Sequence, residues 1–284
     1  MQELRRSGYY RGIRIISKCL LHLVLIVLGI LMVFPFIWMI LSSFKPSLEV
    51  ISVDFHLIPK TWTLRNYQRV FDELNITRGY VNSIIVSTSI TFFVLLTATA
   101  SGFLFAKLRF KGRDVLFFIV LASVMVPPQI VLIPLYILIN KLHWINTYQG
   151  LIFPFMINAF GVFLMRQFIV NIPNDLIEAA RIDGASDFKI YSSVILPLVR
   201  SPIAVLGILI YLWSWDEFLW PLVVVNQNEM MTLPILLSHF FKAEGGYPGE
   251  SMAATTLVIG PVLIVYVFFQ RHFVRGLSMT GLKG

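Results

Sequence analysis

Six transmembrane helices, with one further short helix on a cytoplasmic loop and sizeable outside segments at Lys45 to Arg78 and about Asn226 to Glu250, form the all-α, polytopic membrane protein that this 284-residue sequence predicts. Three observations carry that expectation. Hydrophobic residues make up 57% of the chain and charged residues only 13%, with a mean hydropathy of +0.79. A water-soluble domain of this size cannot cover so apolar a surface with polar groups, so the solvent is lipid. Second, runs free of Asp, Glu, Lys and Arg recur along the chain, and each can supply the roughly 20 helical residues that cross a hydrocarbon core of about 30 Å. Third, the basic residues fall into alternate loops.

The first span, about 19–44, follows a basic stretch with Arg5, Arg6, Arg11, Arg14 and Lys18, so residues 1–18 form a cytoplasmic segment. It is too long for the h-region of a signal peptide and no small-residue cleavage site follows, so it is read as an uncleaved span. An outside segment from Lys45 to Arg78 contains Pro46, Pro59 and aromatic residues, and a short helix is expected near Asn66 to Leu74. The second span, about 81–106, repeats Ala98, Gly102 and Ala106 every four residues, a stripe that lets another helix approach closely.

The third span, about 115–139, holds Pro127-Pro128-Gln129 near its centre. Prolines remove backbone donors, and in lipid the freed carbonyls must be met by protein or cavity water, which makes Gln129 a candidate pathway residue. The fourth span covers about 145–170, the fifth about 201–225 and the sixth about 251–270, within a membrane domain of 19–275 and before a tail of 276–284. Asp216 and Glu217 follow Trp213 and Trp215 in the fifth span. Adjacent carboxylates are costly in lipid and should face protein or a wet cavity, where Trp215, Asp216 and Glu217 offer aromatic faces and acceptors suited to a sugar.

Basic residues concentrate at the N-terminus, after the second span (Lys107, Arg109, Lys111, Arg113), between the fourth and fifth (Arg166, Arg181, Lys189, Arg200) and after the sixth (Arg271, Arg275, Lys283). Far fewer lie in the alternate loops, so these four regions and both termini are expected in the cytoplasm. The net charge of +8 therefore reads as topology, not as a nucleic-acid surface. Cys19 is the only cysteine, which excludes an intramolecular disulfide and a thiolate metal cluster. The five histidines are scattered without an H-E-x-x-H, and no metal site is expected.

Between the fourth and fifth spans lies Glu178-Ala179-Ala180-Arg181-Ile182-Asp183-Gly184-Ala185, followed ten residues on by Leu196-Pro197. A helix of about 174–184 opens near an N-capping Asn174 or Asp175 and stops at a glycine able to adopt the left-handed region, and a second helix restarts from Ser186. Leu176, Ala179, Ala180 and Asp183 fall at helical spacing, so one face carries a leucine, two very small residues and a carboxylate. Such a face fits another protein's groove.

These residues resemble the E-A-A-x-x-x-G loop signature, with its later I-x-L-P, of the membrane subunits of binding-protein-dependent ABC importers. Glu178, Ala179, Ala180, Gly184, Ile195, Leu196 and Pro197 all match it. The C-terminal Gly276-Leu277-Ser278-Met279-Thr280-Gly281-Leu282-Lys283-Gly284 is similar to the tail of the MalG-like, carbohydrate-uptake branch, departing from it at Met279, Thr280 and Gly281. Pro35-Phe36, Asn66-Tyr67, Asn82-Ser83 and Trp215 through Pro221 are further echoes.

The resemblance implies a permease subunit of a prokaryotic inner-membrane importer, half of the path for an oligosaccharide or monosaccharide. It implies a heterodimer with a second permease, two copies of a cytoplasmic ATPase that bind ATP and Mg, and an extracytoplasmic sugar-binding protein. Glu178, Ala179, Ala180, Asp183, Gly184, Leu196 and Pro197 would form the coupling helix and its flank, and Gly281, Lys283 and Gly284 a tail contact with the ATPase. No G-x-x-x-x-G-K-[ST] occurs, so no cofactor is expected on this chain and no catalysis by it.

Glycerol phosphate derivatives are an alternative cargo, although no Lys or Arg interrupts the uncharged runs to meet a phosphate. An ion-coupled secondary transporter is the rival of another class. It would need ionisable groups at mid-membrane and internal repeats, and neither is seen in spans one to four or six.

Overall fold

In the computed structural model, residues 2–243 and 247–278 are described, with side chains for 17–241 and 247–268. Helices joined by turns and loops make up these residues, with no strand among them. They divide into two compact units, one of residues 1–73 with 244–257, the other of 74–243 with 258–284.

In the first unit, α1 runs Gln2–Ser42. From Leu20 to Ile37 its large apolar side chains are exposed, a surface made for lipid or for another membrane helix. A single turn, α2 (Ser47–Val50), and α3 (Arg65–Glu73) follow. Asn66, buried, ties α3 to the end of α1: its amide donates to the backbone oxygens of Ser43 at 2.7 Å and Lys45 at 2.8 Å. Tyr67 adds a hydroxyl contact to Ser43 Oγ at 2.7 Å. The expected short helix near Asn66 to Leu74 is therefore α3, and the segment around it is ordered by buried polar bonds.

The second unit is organised on α4 (Ile76–Lys107), a continuous 32-residue helix opened by Asn75, whose side chain accepts from Arg78 N. Then come α5 (Arg113–Val124), entered through Gly112 at φ +83°, and α6 (Pro128–Lys141). The two meet at 99°, so the stretch of about 115–139 is broken at its proline pair. Pro127 takes an extended conformation and Pro128 has no N–H to donate back, so the helix stops and restarts in a new direction.

Next are α7 (Tyr148–Ile152), capped by Thr147, and α8 (Ala159–Val170), capped by Asn158, with a 3₁₀ turn between them. Then follow α9 (Asn174–Ile182) and α10 (Asp187–Ile190), a π-helical turn at Tyr191–Ile195, and α11 (Leu196–Leu198). Beyond Val199 runs α12 (Arg200–Asp216), bent 79° from the preceding segment, then α13 (Leu219–Val224) and α14 (Leu233–Ala243). The last helix is α15 (Pro248–Ser278).

Three helices are individually long and apolar enough to cross a membrane, at Ser17–Ser42, Ile76–Lys107 and Pro248–Phe268. Three bent pairs pass the same test, so counting each pair as one crossing gives six.

Within a core of large aliphatic and aromatic residues, α4 meets α8 along a seam of small ones. Gly102 faces α8 so closely that a Cβ there would sit 2.8 Å from Met165 Cβ and 3.0 Å from Arg166 N. Likewise a Cβ on Gly161 would lie 3.2 Å from Ala98 Cβ, and Ala98 is fully buried. The four-residue repeat of α4 therefore lies in its contact with α8, where close backbones gain dispersion along their length.

Candidate functional site

The loop helix α9 begins after Pro173, which leaves Asn174 inside the first turn instead of capping it. The difference has a physical cause. The ammonium of Lys107 draws the Asn174 side-chain oxygen to 2.8 Å, a charge-assisted bond that outcompetes a neutral cap. At its other end α9 stops as expected: Asp183 N bonds back to Ala179 O, Ala185 N to Ala180 O, and Gly184 takes φ +78°. Ser186 then accepts from Lys189 N and opens α10.

Which way the helix faces follows from burial. Ile177 is buried among the core residues, and Ala180 is half-buried against the same cluster. Leu176, Glu178, Ala179, Asp183 and Gly184 are exposed. Ala180 thus packs on the chain's own bundle, and the outward surface is completed by two apolar residues that the spacing had not singled out, Ile182 at 86% exposure and Phe188 at 76%. The available signal was their position, an isoleucine and a phenylalanine flanking Gly184 in an otherwise polar stretch.

Leu196 and Pro197 form the single turn α11 beyond the π-helical turn, Leu196 half-buried and Pro197 exposed. Arg181 bonds Asp187 at 3.0 Å across the Gly184 turn. Beside α9 lies an open cleft of roughly 600 Å³ bordered by Arg109, Arg113, Arg181, Glu178 and Asp187. Gly281, Lys283 and Gly284 lie outside the described residues.

The candidate pathway residues are not brought together as one set. Gln129 sits exposed in the first turn of α6, and its side chain makes no hydrogen bond among the described residues. Trp215 is buried at 3% exposure, its indole N–H donating to Val258 O at 3.4 Å and its ring stacked on Tyr211. Asp216 ends α12 exposed. Glu217 accepts from Trp220 N at 3.1 Å, which satisfies a donor at the start of α13. It also borders a cavity of roughly 20 Å³ with Asn158, Trp213 and Ser214, room for about one water and none for a sugar.

Two groups that the sequence offered only as echoes of the family, with no role, organise the opposite end of α4. Asn82, fully buried, donates to Glu229 O at 2.9 Å and Met231 O at 2.8 Å, and accepts from the Tyr148 hydroxyl at 2.7 Å. Ser83 accepts from Leu233 N at 2.9 Å. The stretch leading into α14 is thus pinned by side chains of α4.

A helical bundle of apolar crossings, three of them sharply bent, with a turn-delimited helix set between two of them, defines a polytopic membrane protein. The chain belongs to the family of binding-protein-dependent transport system inner membrane components, whose model matches residues 98–279. It is thus a transport permease subunit, a non-catalytic class. The arabinooligosaccharides transport system permease protein AraQ of Halalkalibacterium halodurans is 38% identical over 255 residues, covering 89% of this chain and 91% of that protein. The sn-glycerol-3-phosphate transport system permease protein UgpE of Rhizobium meliloti is 33% identical, covering 94% and 98%. A crystal structure of a bacterial ABC transporter involved in the import of the acidic polysaccharide alginate contains a chain that superposes with a TM-score of 0.79 at 25% identity, covering 91% of this chain and 96% of that one.

Proposed function

We propose that this permease forms half of the translocation pathway of an ATP-driven importer for a sugar, with an oligosaccharide the leading cargo. A heterodimer with a second permease, two copies of a cytoplasmic ATPase binding ATP and Mg, and an extracytoplasmic sugar-binding protein complete the assembly. The chain sits in a prokaryotic inner membrane with both termini cytoplasmic.

The observation that carries the reading is the outward surface of α9. Glu178, Ala179 and Asp183 stand exposed on a short helix ended by a left-handed glycine, with Ile182 and Phe188 uncovered beside them. Glu178 pairs with a basic group of the ATPase, Ala179 keeps the contact close, and Gly184 turns the chain back toward the membrane. Ala180 holds the docked helix on its own bundle, and Leu196 and Pro197 form the flank that leads on to α12. The Gly281, Lys283 and Gly284 tail is a second ATPase contact.

The sugar assignment leans on the arabinooligosaccharide and alginate relatives, and the glycerol phosphate relative makes a glycerol phosphate derivative the second reading. Gln129, Trp215, Asp216 and Glu217 then act at the gate, Trp215 as packing and Glu217 as a helix cap that opening would release.

Gentle solubilisation of the chain at native expression, with mass spectrometry and an ATPase assay on the eluate, tests this. An ATPase and a second six-span permease in stoichiometric amounts are expected. A lone chain, or a homodimer without hydrolysis, overturns the reading.

A further inference from the structure

We propose that Lys107 makes the docking helix α9 and the long helix α4 move as one body, a positioning residue for the step that carries ATPase motion into the membrane; this rests on the ATPase-docking reading of α9. Lys107 is the last residue of α4. Its ammonium has three N–H donors, and three oxygens meet them: Ile172 O at 2.5 Å, Asn174 Oδ1 at 2.8 Å and Val170 O at 3.2 Å. Val170 closes α8, Ile172 lies in the connection, and Asn174 is the first residue of α9. One cation therefore stitches α4 to the place where α8 hands over to α9.

No carboxylate takes part in this contact, so the lysine acts as a donor hub and not as an ion-pair partner. The position is favourable, because the last carbonyls of a helix lack intrahelical partners and carry the negative end of its dipole. The link matters because the covalent routes out of α9 are soft. Toward α8 lie Asn171, Ile172 and Pro173; toward α12 lie the Gly184 turn, the π-helical turn and Pro197, whose missing N–H thins the ladder. Neither route leads to α4, which packs most extensively on α8 and α12. Besides the apolar packing around Ile177, Lys107 is the polar tie from α9 to α4 among the described residues.

The test uses the full importer in proteoliposomes, in a Cys19→Ser background, with spin labels at Leu104→Cys on α4 and Asp175→Cys on α9. Distances are read without nucleotide and with ATP plus vanadate. With Lys107 in place, one narrow distribution of the same mean is expected in both states. With Lys107→Met, the distribution broadens and its mean shifts on adding ATP plus vanadate, while the ATPase still co-purifies at native stoichiometry. Lys107→Arg, which keeps several donors at that height, restores the narrow distribution.

A Lys107→Met distribution that matches the native one in both states overturns the proposal. Asn174→Leu removes one acceptor and leaves the lysine over the α8 carbonyls, so a smaller broadening is expected. Should Lys107→Met fail to accumulate, an unchanged Asn174→Leu distribution overturns the proposal. Failure of the docking reading shows separately, as a native chain that retains no ATPase, and overturns both.

Discussion

The Tyr148 hydroxyl donates to Asn82 Oδ1 at 2.7 Å while the two N–H bonds of the same amide go to the backbone oxygens of Glu229 and Met231. Three segments distant in sequence thus share one buried side chain, with both of its donors and one acceptor position used.

Asn82→Leu strands two carbonyls and a phenol, and the expected loss of stability is about 2 to 4 kcal/mol, from a net value of roughly 1 kcal/mol per bond plus desolvation of the orphaned groups. Tyr148→Phe removes one bond and costs about 1 kcal/mol. Thermal unfolding in detergent checks both. A Tyr148→Phe loss equal to that of Asn82→Leu would mean that the amide does not hold the loop.

Gly102→Val forces branched carbons into a space where even a Cβ lies 2.8 Å from Met165 Cβ. Overpacking of this kind costs about 1 to 3 kcal/mol. The α4 and α8 backbones must part, so the expected readout is a lower melting temperature with weakened disulfide cross-linking between cysteines placed on the two helices. Unchanged cross-linking would show that the seam has slack.

Gly184 is different, because a Cβ there meets nothing within 4 Å and only φ +78° opposes it. Gly184→Asn is expected to leave folding almost untouched, since Asn visits the left-handed region readily, whereas Gly184→Ala costs about 1 kcal/mol. Gly184→Asp should reach the membrane at normal level yet abolish uptake, as a charge is set against the docked partner. Normal uptake by that variant would remove the docking assignment.

Glu250, 6% exposed, accepts from Ser47 Oγ and from Arg69 Nη1 at 3.3 Å, while the Arg69 guanidinium lies 4.4 Å above the Tyr247 ring. Arg69 is partly exposed and keeps Glu73 at 3.0 Å, so removing Glu250 costs the charge-assisted bonds it accepts, about 1 to 3 kcal/mol. For Glu250→Ala the first sign should be proteolysis of the 46–64 stretch at protease levels the native chain resists. Glu250→Gln, which keeps one of the two acceptor oxygens, should fall between the two.

Much of this molecule is legible in the sequence wherever one residue decides the backbone. Gly184 and Ser186 announce a stop and a restart, Pro127-Pro128 a break, and Ala98 with Gly102 a close helix contact. The 99° angle at the proline pair was not legible, because prolines remove a bond without dictating where the next helix points. The Asn174 cap was misread for a similar reason: its competitor, Lys107, lies far away in the chain and only the fold brings it near. Burial of Trp215 was likewise hidden, since an aromatic beside two carboxylates reads equally well as a ligand platform or as packing.

The uncovered pair Ile182 and Phe188 has a consequence for an orphan copy of this subunit. Burying an isoleucine or phenylalanine side chain is worth about 1.5 to 3 kcal/mol, so a chain made in excess of its partner carries that debt openly on a water-facing loop. Self-association and capture by chaperones or proteases are the physical outlets for such a surface. Subunit stoichiometry would then be policed by the same two side chains that the proposed ATPase contact would hide.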